Sequence, residues 1–433
     1  MTTPLGFVLT LAFALAVFCL PRRTAAVGIV AAICYLTEAQ PLEIVGFHFT
    51  SIRFVLLVGM IRVLLRGEMS GLRFNKVDRS LFTFGTAVLI ISVVRHETVE
   101  DLVYQVGILY NVSLSYLGFR CLLRSERDLR EVLSKLAFVI IPFALLVLYE
   151  SCTNRNFFAE MAGFSEIDLI RDGHIRAQGS FRSPITAGAF GATFAMLYAS
   201  VLFAGPRTRF ALVGFVASTV IVLCSHSSGP LLGLGLGLLA LACWYARQHT
   251  SKIRWGIVAG LIGLNIVMKV PVWFLIGRIS DVVGGGGYHR AYLIDQFVKH
   301  FGSWWLLGTS DTSDWMPTQL EFGGSDLTNK FVSDGVNGGL IGLVLSVALV
   351  VICFKWIGLG LKANRGYTET EKLLWGLGAT MVGTIGIFFS VTYFDQSYVV
   401  WYFLLACIAG IDIRKRQKTA TIRRRRPAVA SLP

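Results

Sequence analysis

Two stretches of this 433-residue chain gather side chains suited to handling a phosphate. The first reads RDGHIRAQGSFRSP and contains Arg171, His174, Arg176, Gln178 and Arg182. The second reads GYHRAYLIDQ, with His289 and Arg290, and is followed by DLTNK, with Asp326, Asn329 and Lys330. Arginine presents a planar fork of N–H donors that matches phosphate geometry. Two such forks can hold a diphosphate and offset the charge that develops on it as it leaves. Asp326 and His289 are residue types that accept a proton from an incoming hydroxyl. Arg176, Arg290, Asp326 and His289 are thus the candidate catalytic residues. Arg171, His174, Gln178, Arg182, Asn329 and Lys330 are the candidate substrate-binding ones. The plainer role for any one arginine is to neutralise Asp168, Asp172 or Asp295, or to touch lipid headgroups.

Other chemistries are poorly served. The eight cysteines form no CxxC or Cys/His cluster, so neither a metal site nor a disulfide framework is expected, and no cofactor motif is present. Glycines 284–287 lack the lysine and hydroxyl of a phosphate-binding nucleotide loop. The stripe Gly229, Gly233, Gly235 and Gly237 reads as helix packing. Ser225-His226-Ser227, at its start, is expected at the outer end, within reach of a substrate.

What must position these residues is a membrane bundle. Hydrophobic residues make up 54% of the chain and charged ones only 15%, with mean hydropathy +0.64. A soluble domain carries about 25% charged residues. Apolar runs occupy 4–20, 25–46, 49–65, 80–95, 101–119, 133–150, 184–204, 209–225, 229–246, 254–276, 334–358, 373–393 and 396–411. The reading is an all-α polytopic integral membrane protein with about twelve or thirteen transmembrane helices. Residues 4–20 read as a retained first helix, since no basic segment precedes them. Most of the 40 lysines and arginines fall in alternate loops, which places those loops and the C-terminus in the cytoplasm. The net charge of +14 follows from this bias, and nucleic-acid binding is not expected.

The domain division is a bundle over 1–411, including outer loops 151–183 and 277–333, then a basic cytoplasmic tail over 412–433. Both arginine-bearing stretches lie in the outer loops. Within the second loop, Leu293, Ile294, Phe297, Val298 and Phe301 share one face of a helix expected to lie on the membrane surface. Tyr288, Tyr292, Trp304, Trp305 and Trp315 are candidates for stacking on sugars, although interface anchoring or loop packing explains most such residues. Charged residues are scarce in the central and late spans, which disfavours an ion-driven transporter.

Three blocks carry a family resemblance: RAQGSFRSPITAGAF (176–190), HRAYLIDQFVKHFGSWWLLG (289–308) and TNKFVSDGVNGGLIG (328–342). Over roughly residues 130–410 the chain resembles the bacterial O-antigen polymerase/ligase superfamily, which comprises Wzy-type polysaccharide polymerases and O-antigen ligase-like proteins. One departure is Thr328, where the family often has histidine; Asn329 and the Gly339-x-x-Gly342 spacing are kept. The resemblance implies a metal-independent inverting glycosyltransferase of the inner membrane, acting on its periplasmic face. Its donor would be an undecaprenyl-diphosphate-linked glycan and its acceptor another glycan. Membrane lipids and other polysaccharide assembly proteins would be its partners. The leading expectation is polymerisation of repeat units into exopolysaccharide, capsule or O-antigen. The alternatives are a ligase that moves finished glycan to lipid A core, a flippase or exporter of lipid-linked sugars, and a non-catalytic scaffold.

Overall fold

A computed structural model describes residues 3–38, 41–44, 47–95, 99–162, 170–171, 173–205, 208–283, 286–316, 325–411 and 413. Asp168, Asp172 and almost all of the basic tail lie outside the described residues. The chain is predominantly helical, with two short antiparallel hairpins.

The first half contributes α1 (Pro4–Cys19), α2 (Arg22–Tyr35), α3 (Ser51–Leu65), α4 (Lys76–Arg95), α5 (Val99–Leu122), α6 (Glu126–Thr153) and the short α7 (Phe157–Ala162). Strands β1 (Pro41–Ile44) and β2 (Phe47–Thr50) pair between α2 and α3. Strands β3 (Ile170–Arg171) and β4 (His174–Ile175) pair ahead of α8 (Pro184–Ala204). Then come α9 (Thr208–Cys224), α10 (Ser228–Ala242) and α11 (Thr250–Val267). Next are α12 (Leu275–Val283), α13 (Gly287–Lys299) and α14 (Phe301–Trp304), which fold the second loop. The chain closes with α15 (Lys330–Ala363), α16 (Thr368–Phe388) and α17 (Tyr398–Ala409).

Among the described residues, five helical segments are long and apolar enough to cross a membrane: Lys76–Arg95, Glu126–Thr153, Pro184–Ala204, Ser228–Val267 and Lys330–Ala363. Shorter apolar helices cover Pro4–Cys19, Arg209–Cys224 and Asp395–Ala409. Large apolar side chains such as Phe138, Leu239, Ile262 and Val344 face outward. Exposed apolar surface on this scale is compatible with a multi-pass membrane protein.

Two apolar runs are not continuous helices. Run 25–46 stops being helical at Tyr35 and turns into the β1–β2 hairpin, with Pro41 opening β1. Run 254–276 breaks after Val267, ahead of Pro271. Proline lacks the N–H a helix needs and clashes with the carbonyl four residues back, which ends α11 at Val267; Pro41, six residues past Tyr35, keeps the chain from resuming a helix.

Helix α8 is the hub, buried along nearly its whole length and packed against α9, α10 and α16. Three glycines of the stripe, Gly229, Gly233 and Gly237, are consumed by this packing, while Gly235 faces open space. A Cβ at Gly233 would lie 2.8 Å from the Gly383 carbonyl oxygen of α16, and one at Gly237 would lie 2.7 Å from Met196 Sδ of α8. Helix α15 bends at Gly339, whose φ of 61° and ψ of −165° belong to a region open essentially to glycine. At the bend, Leu340 N–H donates to the Trp305 carbonyl, 2.8 Å away, and Thr309 N–H donates to the Val336 carbonyl, also at 2.8 Å. Arg95 Nη1 donates to that same carbonyl at 2.9 Å. The second loop is thereby fastened to the broken helix.

Candidate functional site

The segment carrying Arg176 is held by a buried carboxylate. Glu150, near the end of α6, accepts N–H bonds from Gln178 (2.9 Å) and Gly179 (2.8 Å), and one from the Asn156 amide (3.0 Å). Asn156 also donates to the Gly179 carbonyl at 3.0 Å. Gly179 has φ +60°, and a Cβ there would lie 2.9 Å from the Phe143 ring. A side chain at this turn is excluded by both strain and space. Ala177 N–H donates to the Cys224 carbonyl at 3.0 Å, tying the segment to the end of α9. So anchored, Arg176 directs Nη2 to Ser227 Oγ at 2.8 Å.

Arg290 approaches the same place from α13, although the two arginines are far apart in sequence. It is buried, and its Nη1 donates to Ser228 Oγ at 3.3 Å. Ser227 and Ser228 are adjacent residues at the start of α10, the positive end of that helix's dipole. Burial lowers the Arg290 pKa to about 10, and the charges of Arg171 and Arg176 push the same way. Burial and then Arg171 also lower Arg176. These mutual effects place three guanidinium groups in one partly desolvated space. Among the described residues, none of the three has an acidic partner in an ion pair. Asp295, an acid on the same helix as Arg290, is engaged by Lys299 at 2.7 Å. The Arg176 Nε–H is buried and has no acceptor among the described residues. Leaving such a donor unmet costs about 1–3 kcal/mol, a cost that an anion in this space would remove.

A histidine pair borders the arginines. The His174 and His226 rings stack with centroids 4.8 Å apart and planes 7° from parallel. His226 sits in the turn between α9 and α10 with φ +40°. Burial, then His174, then Arg176 lower its pKa below the ordinary histidine value. The ring therefore stays neutral at pH 7, the state in which it can accept a proton.

The remaining candidates divide. Asp326 and His289 sense each other electrostatically. Asp326 reaches solvent at one edge, yet the protein around it desolvates the carboxyl and raises its pKa, while His289 opposes that rise. Thr328 has a buried hydroxyl with no partner among the described residues. Asn329 caps α15, its side-chain oxygen accepting from Phe331 N–H at 3.0 Å and Val332 N–H at 3.3 Å. Lys330 pairs with Asp334, which also accepts from Ser346 Oγ at 2.5 Å. Gln178 offers its backbone to Glu150. Arg182 turns to a different cluster: its N–H donates to Asp395 at 3.0 Å, and its charge acts with that of Arg53 on Glu38.

Two expectations about the second loop change. Helix α13 does not present its whole apolar face outward: Leu293 and Phe297 are buried in a small core with Trp304, Trp315, Met316, Val332 and Val336, while Val298 and Phe301 stay exposed. Trp304 is 2% and Trp315 3% exposed, so both are taken up by that core and neither can stack on a sugar. Tyr288 and Trp305 remain exposed.

Ser227 and Ser228 carry the meeting point of the two arginines, a role that their residue type does not announce. Their one available signal was position, just ahead of a glycine-rich apolar run and level with the outer loops. Among the described residues, no group of three or more histidine, cysteine or acidic side chains is arranged to hold a metal. Against known proteins, no family model matches the chain and no curated protein matches it.

Proposed function

We propose that this chain is a glycosyltransferase that polymerises oligosaccharide repeat units carried on a lipid diphosphate, at the outer face of the membrane. The observation that supports this reading best is the convergence of Arg176 and Arg290, from separate loops, on adjacent serines at one helix start. Among the described residues they have no acidic partner and one N–H is unmet, and both are desolvated. A diphosphate fits such a space by charge and geometry.

In this reading the acceptor hydroxyl oxygen bonds to the donor's anomeric carbon as the bond from that carbon to the diphosphate oxygen breaks. The electron pair leaves on the lipid diphosphate, where Arg176 and Arg290 offset the growing charge. Arg171 adds long-range attraction for the anion. The hydroxyl proton passes to a neutral base. His226 is suited by its lowered pKa and its place beside Arg176, with Asp326 and His289 as the pair nearer Arg290. Direct displacement inverts the anomeric centre.

The test replaces Arg176 and Arg290 separately by alanine in a strain lacking the native copy, and compares membrane levels with polymer yield. The expected outcome is normal membrane levels with polymer reduced at least a hundredfold by each change, a loss of about 2.7 kcal/mol or more in transition-state stabilisation. Product length and attachment are read in the same experiment, since polymerase activity lengthens glycan on the lipid carrier. Normal polymer from both variants would remove the mechanism.

A further inference from the structure

We propose that the opposite face of the bundle holds a second, independent binding site for a phosphate-bearing ligand, in a basic cleft between the start of α4 and the end of α17. The cleft has a volume of about 570 Å³. Small-molecule sites commonly enclose about 300–1,000 Å³. It lies at the far end of α17 from the Arg182–Asp395 contact, so it is separated from the arginine site by roughly the length of that helix, ~18 Å or more.

Five cationic side chains line it: Arg73, Lys76, Arg79, Arg120 and Arg124. Two of them are spent on the protein. Arg120 is paired with the buried Asp78 at 3.0 Å. Arg124 donates to the carbonyls of Glu68, Ser70 and Cys121. The other three are not so used. Arg73, Lys76 and Arg79 are exposed, and none has an acidic partner in an ion pair among the described residues. The local acids are already engaged: Asp78 takes Arg120, Tyr116 Oη (2.6 Å) and Asn75 N–H (2.6 Å), and Glu68 takes Arg62 at 2.9 Å. A surplus of positive charge therefore faces a defined cavity.

The backbone adds to this field. Asn75 and Asp78 cap α4 reciprocally, with Asn75 Oδ1 accepting from Val77 N–H at 2.9 Å while Asp78 accepts from Asn75 N–H. That arrangement fixes the positive end of a 20-residue helix at the cleft. Asn75 also donates to the Ala409 carbonyl at 2.9 Å, which locks the α4 start to the α17 end and gives the cleft a rigid floor.

Apolar walls accompany the charge: Leu72, Phe74, Trp356, Ile411 and Ile413. The Trp356 indole N–H is buried and has no partner among the described residues. Cations beside aromatic and aliphatic surface hold a phosphate group and also accommodate an apolar portion attached to it. Two sources share that chemistry, an anionic lipid headgroup and a soluble phosphate compound. The inference stands apart from the glycosyltransferase reading, since it uses none of the same residues.

The experiment uses the full-length chain in detergent, carrying Arg176→Ala and Arg290→Ala so that the other arginine site contributes nothing. Thermal melting is followed with inorganic pyrophosphate, and retention of phosphatidylglycerol over phosphatidylcholine is followed by native mass spectrometry. At least one probe is expected to bind. Adding Arg73→Gln with Arg79→Gln should weaken that binding about tenfold while the melting temperature without ligand stays unchanged, because both side chains are exposed. Lys76→Gln alone should give a smaller loss. A response to phosphatidylglycerol alone assigns the site to a lipid headgroup, and a response to pyrophosphate alone to a soluble phosphate. Failure of both probes, or binding that survives in the Arg73/Arg79 variant, overturns the proposal.

Discussion

At the scale of single residues, the site is a problem of unbalanced charge. Bringing Arg171, Arg176 and Arg290 together costs free energy that the described part of the protein does not recover with an acid. His226 is part of the same electrostatics, and its lowered pKa makes a pH prediction. The folded state holds this ring neutral more strongly than the unfolded chain does. Its contribution to stability is therefore present above the ordinary histidine value of about 6.5 and is lost as pH falls through the lowered folded value. Melting in detergent from pH 7.5 to 5 should show a declining midpoint. His226→Asn, which tolerates the positive φ, should flatten part of that decline. An unchanged slope would show that His226 does not feel its neighbours. The arginines and His289 were legible in the sequence because their types stand out against apolar surroundings. Ser227 and Ser228 were not, since a serine beside a glycine-rich helix looks the same whether it caps, packs or receives a guanidinium. Lys330 and Asn329 show the converse: residues suited to binding turned out to pair with Asp334 and to cap α15.

At the scale of elements, hydrophobic runs locate helices well and say little about where a helix breaks. The interruption of 25–46 was signalled by Pro41, and that of 254–276 by Pro271. The bend in α15 had a fainter signal in Gly338-Gly339, because a glycine pair in an apolar run more often means close packing. Its role is testable. Gly339→Ala puts a Cβ 2.5 Å from the Leu306 carbonyl oxygen and forces an L residue into the glycine-only region. Strain alone costs about 1–3 kcal/mol, and the clash adds to it. The variant should melt measurably lower and expose the second loop to protease, because that loop is fastened at the bend through Trp305 and Val336. Resistance equal to the parent would mean that the loop is held by its own small core alone. Amphipathic spacing in α13 was readable, but what would cover the apolar face was not. The sequence pattern fits lipid and protein equally, and the partner here is the tryptophan-rich core of the loop.

At the scale of the whole molecule, the two ends of the bundle carry different chemistry. One end gathers Arg176, Arg290 and the serines of α10, and the other gathers the basic cleft. The charge bias along the sequence anticipated this division, because cationic loops alternate with acidic or neutral ones. Helix α6 connects the two ends, and both of its termini are gripped by carboxylates. At its start Asp128, nearly fully buried, takes Arg22 at 3.0 Å and Arg23 at 2.5 Å. Near its finish Glu150 clamps the Gln178–Gly179 turn. With 1.5 Å of rise per residue, the two grips stand about 33 Å apart, close to the hydrocarbon thickness of a bilayer, about 30 Å. On the proposed function, helix α6 works as a ruler: it sets how far the arginines sit above the lipid tails, whatever the membrane around them. If the substrate is carried on a lipid, its diphosphate travels at the height of the headgroups while the arginines stay at the height of the ruler. Polymer formation by the protein in vesicles should accordingly peak in bilayers of matching thickness and fall in both shorter-chain and longer-chain lipids, with the fold, read by melting, little changed. A rate indifferent to acyl length would mean that the glycan, and not the lipid, brings the diphosphate into register.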